Sequence, residues 1–166
     1  MTDDLHAALE PLGWLVGVWE GTGALVYPTV VERTYVQRLA ISHDGRPFLH
    51  HSSRSWLLED DGSRGRPGLS EEGWWRPGAE KFGVELLLAH PTGVLELLVG
   101  RVAFNKVELV SDAVVRTATA KEVTATSRLY GGVEDDLAYV VEMAAVGHSL
   151  QPHLSARLSP LVVPPA

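Results

Sequence analysis

The sequence predicts an all-β fold, an antiparallel barrel of about ten strands behind one short N-terminal helix. Short runs rich in Val, Leu, Thr and Tyr recur along the chain, punctuated by Gly, Pro and Asp, the pattern of a sandwich or barrel. The connections between the runs are short, and a single domain of many antiparallel strands removes its exposed edges by closing on itself. The length of 166 residues fits one domain, which can bury a core without disulfide or metal staples. We take that domain as residues 1–159, with 160–166 as a flexible tail containing three prolines.

The helix comes first. Asp3 or Asp4 can cap it, Leu5, Ala8, Leu9 and Leu12 lie at helical spacing, and Gly13 suits its end. Strands are then expected over Gly17–Tyr27 and Val30–Ser42. The segment His43-Asp44-Gly45-Arg46 reads as a turn, because Asp-Gly tolerates positive φ. A strand over Pro47–Glu59 enters a loop with three glycines, Asp60–Gly68. Leu69–Arg76 turns at Pro77-Gly78 into Lys81–Ala89, and Pro91-Thr92-Gly93 turns into Val94–Phe104. The remaining runs are Val107–Ser111, Val114–Ala120, Glu122–Leu129, Leu137–Val146 and Leu150–Leu158. An eight-stranded barrel already has room for one small ligand, and more strands widen it.

Composition excludes several chemistries. There is no cysteine, so disulfides, zinc-thiolate sites, thiolate haem ligation and cysteine nucleophiles are absent. The formal charge of −7 without a basic stripe argues against nucleic-acid binding. No run approaches the roughly 20 apolar residues of a membrane span, and the start, MTDDLHAALE, lacks the apolar segment of a secretory signal. A cytoplasmic protein with no membrane or nucleic-acid partner is the expectation, and monomer and homodimer both stay open. No serine lies in a G-x-S-x-G context, and no Gly-rich segment matches a phosphate loop.

Histidine is therefore the main candidate for metal chemistry. Among the seven, His6 is expected to be exposed on the helix, His43 and His90 to be solvated beside turns, and His148 to lie in a loop. His50 and His51 are neighbours in a strand, so one points inward and the other outward. Either that pair is one packed and one solvated residue, or the inward one lies on the distal side of a bound ligand. Glu71 and Glu72 face opposite ways for the same reason, and Asp60-Asp61 and Asp135-Asp136 are expected to be solvated near turns. Taken alone, His153 is a lone histidine near the C-terminus, with Pro152 fixing the backbone beside it.

Gly17-Val18-Trp19-Glu20-Gly21-Thr22-Gly23 is a G-x-W-x-G-x-G motif, followed by Tyr27-Pro28-Thr29. Further along come His43-Asp44-Gly45-Arg46-Pro47-Phe48-Leu49, Glu72-Gly73-Trp74-Trp75-Arg76, His90-Pro91-Thr92-Gly93-Val94-Leu95-Glu96, Thr119-Ala120-Lys121-Glu122-Val123, Met143-Ala144 and Gln151-Pro152-His153-Leu154. In this order, over about residues 5 to 158, the segments resemble the nitrobindin family, also described as fatty-acid-binding-protein-like. The resemblance implies a ten-stranded antiparallel barrel holding one haem b per chain at its open end. By the same resemblance His153 is the axial iron ligand, Thr29 contacts the haem, and Lys121 approaches a propionate. It implies isomerisation of peroxynitrite to nitrate by ferric haem and reversible binding of nitric oxide. Trp19 is expected to plug one barrel end. The pair His50-His51 departs from the family pattern, and an inward histidine reaching iron would close its sixth position. The rival readings are a carrier of fatty acid or another apolar ligand, with Arg33, Arg54 or Arg128 meeting a carboxylate, and an empty barrel that binds a partner.

Overall fold

The computed structural model describes residues 4–162. Ten strands follow a 3-10 helix at Ala7–Leu15: β1 Gly17–Tyr27, β2 Val30–Ser42, β3 Leu49–Leu58, β4 Arg64–Pro77, β5 Gly83–Ala89, β6 Val94–Ala103, β7 Lys106–Arg116, β8 Val123–Val133, β9 Asp136–Ala145 and β10 His148–Pro160. Each strand pairs antiparallel with the next, and β1 pairs with β10 to close the barrel. Among the described residues no helix is long and apolar enough to cross a membrane.

The helix differs from the expected one in geometry and cap. Pro11 lies inside it and cannot donate a backbone hydrogen bond. The buried residues are Leu9, Leu12 and Leu15, a spacing of three that stacks side chains along one face of a 3-10 helix. The cap is His6, whose Nδ1 accepts from the Ala8 amide at 3.1 Å. Asp4 is not the cap, and Asp3 lies outside the described residues. The three leucines seal one barrel end against Trp19, whose indole N–H donates to the Leu15 carbonyl at 3.0 Å. Trp19 is thus the expected plug.

Three strand boundaries also move. The three-glycine segment is not all loop, since β4 begins at Arg64 and Arg64 pairs with Leu58. The runs 107–111 and 114–120 are one strand to Arg116, interrupted by a register shift at Asp112, which is a β-bulge. The tail is partly anchored: β10 reaches Pro160, and the Leu161 amide donates to the Val18 carbonyl at 2.7 Å. Residues 163–166 lie outside the described residues.

Two of the three motif glycines have a packing reason. A Cβ on Gly21 would sit 2.3 Å from the Arg157 carbonyl oxygen, and one on Gly23 would sit 2.5 Å from both the Ser155 carbonyl oxygen and the Tyr35 hydroxyl. At these two positions the β1–β10 seam leaves no room for a side chain on β1. Gly23→Ala is expected to destabilise by about 1–3 kcal/mol, the usual range for overpacking, lowering the thermal midpoint by about 3–10 °C. An unchanged melting curve would refute this account of the motif.

Candidate active site: a pocket at the open barrel end

Among the described residues, the barrel end opposite the helix has no plug. There the connections β1–β2, β3–β4, β5–β6, β7–β8 and β9–β10 surround the mouth of a pocket that opens to solvent. Inward positions of β2 and β3 carry Gln37, Ser53 and Ser55 rather than large apolar side chains, and this hollows the upper barrel. Val94, Val123, Val141, Met143 and Leu154 supply an apolar wall.

His153 lines this pocket. The β9–β10 register shifts between Pro152 and Leu154, so His153 is the extra residue of a bulge. Bulges re-aim side chains, and here His153 and its neighbour Leu154 both reach the interior. His153 Nδ1 lies 3.0 Å from the Val26 carbonyl oxygen. A carbonyl only accepts, so Nδ1 carries the proton and donates it. This fixes the tautomer with a bare Nε2, to which no described residue hydrogen-bonds. Burial lowers the pKa of the ring below its usual value, Arg128 and Lys121 add to that, and the Val26 bond and Glu96 oppose it. A neutral imidazole with one nitrogen donating to a backbone carbonyl is the state in which histidine binds a metal through the other. Tyr27 supports the ring edge-on at 5.6 Å, and its hydroxyl accepts from the Ala145 amide at 2.8 Å.

Below the pocket lies a charged floor. The Arg128 guanidinium on β8 donates to Glu71 on β4 (3.0 and 3.1 Å) and to Glu96 on β6 (2.7 Å). Glu96 also accepts from Thr126 at 2.6 Å and from His90 Nε2 at 2.5 Å. Arg128 and Glu96 are about 95% buried. Burial alone would raise both carboxylic acids, but Arg128 and the adjoining histidines outweigh it, so Glu96 falls to about 2 and Glu71 lies lower still. Both are therefore carboxylates. Ligand atoms of Glu71, His90 and Glu96 lie within 4.8 Å of one another, a spacing that suits a metal ion, but the cation the fold places there is Arg128.

The expected site residues land as follows. Thr29, in the β1–β2 turn, and Lys121, in the β7–β8 connection, are exposed at this end of the barrel, and neither lines the pocket. Neither His50 nor His51 lines it. His50 points outward and meets Glu72 at 2.9 Å. His51 points inward as the alternation requires but is locked: Nδ1 accepts the Trp75 indole N–H at 3.1 Å, and Nε2 donates to Glu71 at 2.9 Å. With both ring nitrogens engaged, His51 is a structural member of the floor and not a distal group. His6 is exposed, as expected, while His148 opens β10 and packs on Tyr27 at 5.9 Å. His90 reverses its expectation, because the β5–β6 turn carries it into the pocket wall with its side chain only 17% exposed. Of the three arginines, only Arg128 lines the pocket, and two carboxylates already neutralise it.

Comparison with known proteins agrees with this geometry. Residues 8–159 match the family model described as the THAP4-like, heme-binding beta-barrel domain. The chain belongs to the nitrobindin family. Its nitrobindin relatives include a protein named peroxynitrite isomerase from Salinispora arenicola (strain CNS-205), 54% identical over 93% of this chain and 81% of that protein. A Nocardioides sp. (strain ATCC BAA-499 / JS614) protein of the same name is 49% identical over 95% of this chain and 96% of its own. The crystal structure of Rv2717c from M. tuberculosis shares the nitrobindin barrel at TM-score 0.87 and 38% identity, covering 95% of this chain and 99% of that one. The residues present here fit the family's haem. They offer a neutral, oriented histidine with a bare nitrogen, an apolar wall and polar side chains at the open end of the barrel.

Proposed function

We propose that this chain binds one haem b through His153, isomerises peroxynitrite to nitrate when the haem is ferric, and binds nitric oxide at the same iron. The observation that carries the proposal is the Val26 carbonyl on His153 Nδ1, which leaves Nε2 unprotonated and without a partner among the described residues. Lys121 and Thr29 supply an ammonium and a hydroxyl at the open end of the barrel, the groups that pair with and hydrogen-bond propionate carboxylates. Bound ferric haem supplies a Lewis-acidic coordination position. The rest would be done by the chain: His153 would hold the iron, and the apolar wall of Val94, Val123, Val141 and Met143 would limit water and confine the substrate.

Stopped-flow mixing of haem-loaded protein with peroxynitrite tests this. Decay is expected to accelerate in proportion to haem-loaded protein, with nitrate as the product. If equal haem with His153→Ala accelerates decay as well, the proposal is wrong. A fatty-acid carrier is less well supported, since the inward arginine that would hold a carboxylate is already saturated by Glu71 and Glu96.

A further inference from the structure

We infer that His90, held by Glu96, is the distal hydrogen-bond donor that meets an anionic ligand on the side of the iron opposite His153. The inference rests on the haem reading above and extends it to a residue that reading does not use.

Around the closed ring, β10 and β5 are five strands apart in either direction, so the strand that carries His153 faces the one that delivers His90. Both side chains line the same pocket. A planar group ligated from the β10 side turns its other face toward the β5–β6 turn.

The β5–β6 turn is tightly built. His90-Pro91-Thr92-Gly93 closes with the Gly93 amide on the His90 carbonyl at 3.0 Å and the His90 amide on the Val94 carbonyl at 2.9 Å. Gly93 has φ +93, a left-handed conformation that glycine adopts without strain. This tight return brings Glu96 back beside the imidazole, at 2.5 Å from Nε2. Since Glu96 is ionised, Nε2 carries a proton and donates it. Nδ1 has no hydrogen-bond partner among the described residues, and the nearest acid oxygen, on Glu71, is 3.9 Å away.

Glu71, Glu96 and Arg128 sum to −1 in a largely buried site, and His51 is neutral by its bonds. With the imidazolium form of His90 the floor is neutral, and Nδ1 becomes a donor that suits an anion. Such a donor would also be held in place before the ligand arrives, because Glu96 is itself pinned by Thr126 and Arg128. Preorganised donors of this kind stabilise charge without reorganisation.

Azide binding to the ferric haem-loaded protein, together with the carbonyl stretch of the ferrous carbon monoxide complex, tests the inference with readouts separate from isomerase activity. His90→Phe is expected to weaken azide by about tenfold or more, the share of a charge-assisted hydrogen bond, and to raise the carbonyl stretch. His90→Gln, which keeps an N–H, is expected to recover most of both. Unchanged azide affinity and stretch in His90→Phe overturn the inference. So does a wild-type ferric spectrum of six-coordinate bis-histidine type that turns five-coordinate in His90→Phe, since His90 would then be an iron ligand. Should His90→Phe fail to fold, the wild-type carbonyl stretch decides. A value below that of imidazole–haem–CO in apolar solvent supports the donor, and an equal value overturns it. Failure of wild type to bind haem overturns both readings, whereas haem binding with an indifferent His90 overturns this one alone.

Discussion

Arg128→Met is expected to destabilise the protein by about 3–5 kcal/mol, the cost of stranding a buried charge by removing its partner. Two carboxylates depend on this guanidinium. Glu71 and Glu96 both lie in the barrel interior, and Arg128 is the largest influence lowering their pKa values against burial. Such a loss is a large part of the roughly 5–15 kcal/mol that holds a domain together. Urea denaturation measures it as a lower midpoint with an unchanged slope. The pH dependence separates the charge effect from lost packing. In wild type the folded Glu96 sits at about 2, below the ordinary 4.5. Its contribution to stability is therefore complete above about 4.5 and is lost as pH falls towards 2. Without Arg128 the largest lowering influence is gone and burial pushes the folded pKa up against His90 alone, so this pH-dependent contribution shrinks in the variant. Neutralising the partners as well, in Glu71→Gln/Glu96→Gln/Arg128→Met, should restore most of the loss. If the single and triple variants have the same midpoint, the ionic account of the floor is wrong.

His153→Ala is expected to lower haem affinity by at least about 100-fold, because losing even an outer-shell partner of a metal ligand costs 10–100-fold. Hemin titration reads this directly: wild type develops a sharp Soret band, and the variant gives the broad absorbance of loosely held haem. The same substitution should change folding stability by no more than about 1 kcal/mol, since the side chain is half-buried and its one hydrogen bond goes to a carbonyl at the strand end. Loss of haem without loss of fold separates a ligand from a core residue. Equal haem affinity in the two proteins would remove His153 from its assigned role.

The barrel was legible because alternation and punctuation are local. The turns at Asp44-Gly45 and Pro91-Thr92-Gly93 follow from residues that tolerate positive φ, and Gly45 and Gly93 indeed have φ +89 and +93. The helix type was less legible, since Leu5, Ala8, Leu9 and Leu12 fit an α-helical stripe as well as Leu9, Leu12 and Leu15 fit a 3-10 face. The site divides the same way. His153 emerged from its resemblance to a family and not from its own context, because a bulge one residue long leaves no periodic trace. The floor was missed altogether. Its members lie on β4, β6 and β8, and nothing in a single strand says that Glu71, Glu96 and Arg128 converge. One signal was available. Glu96 shares inward parity with Val94 and Leu98, and Arg128 with Thr126 and Tyr130. A charge at an inward position needs a partner, and the two have opposite signs. His51 shows the converse. Its inward direction followed from alternation, but its Trp75 and Glu71 bonds come from the neighbouring strand.

The bulge at Pro152–Leu154 also bears on how such a barrel acquires or loses a cofactor. From Leu154 onward β10 pairs residue for residue with β9, a second register shift lying nearer the strand's start between His148 and Gln151, and a shift of one residue sends a side chain to the other face. Deleting one residue there leaves the seam with β1, which begins at Leu154, in register, yet turns the imidazole away from the interior. The walls, the rim and the charged floor would all persist around a cavity with nothing to bind iron. On the proposed ligation by His153, a metalloprotein and an empty container differ by the length of one strand, a change that a single in-frame codon loss can make and a single insertion can reverse.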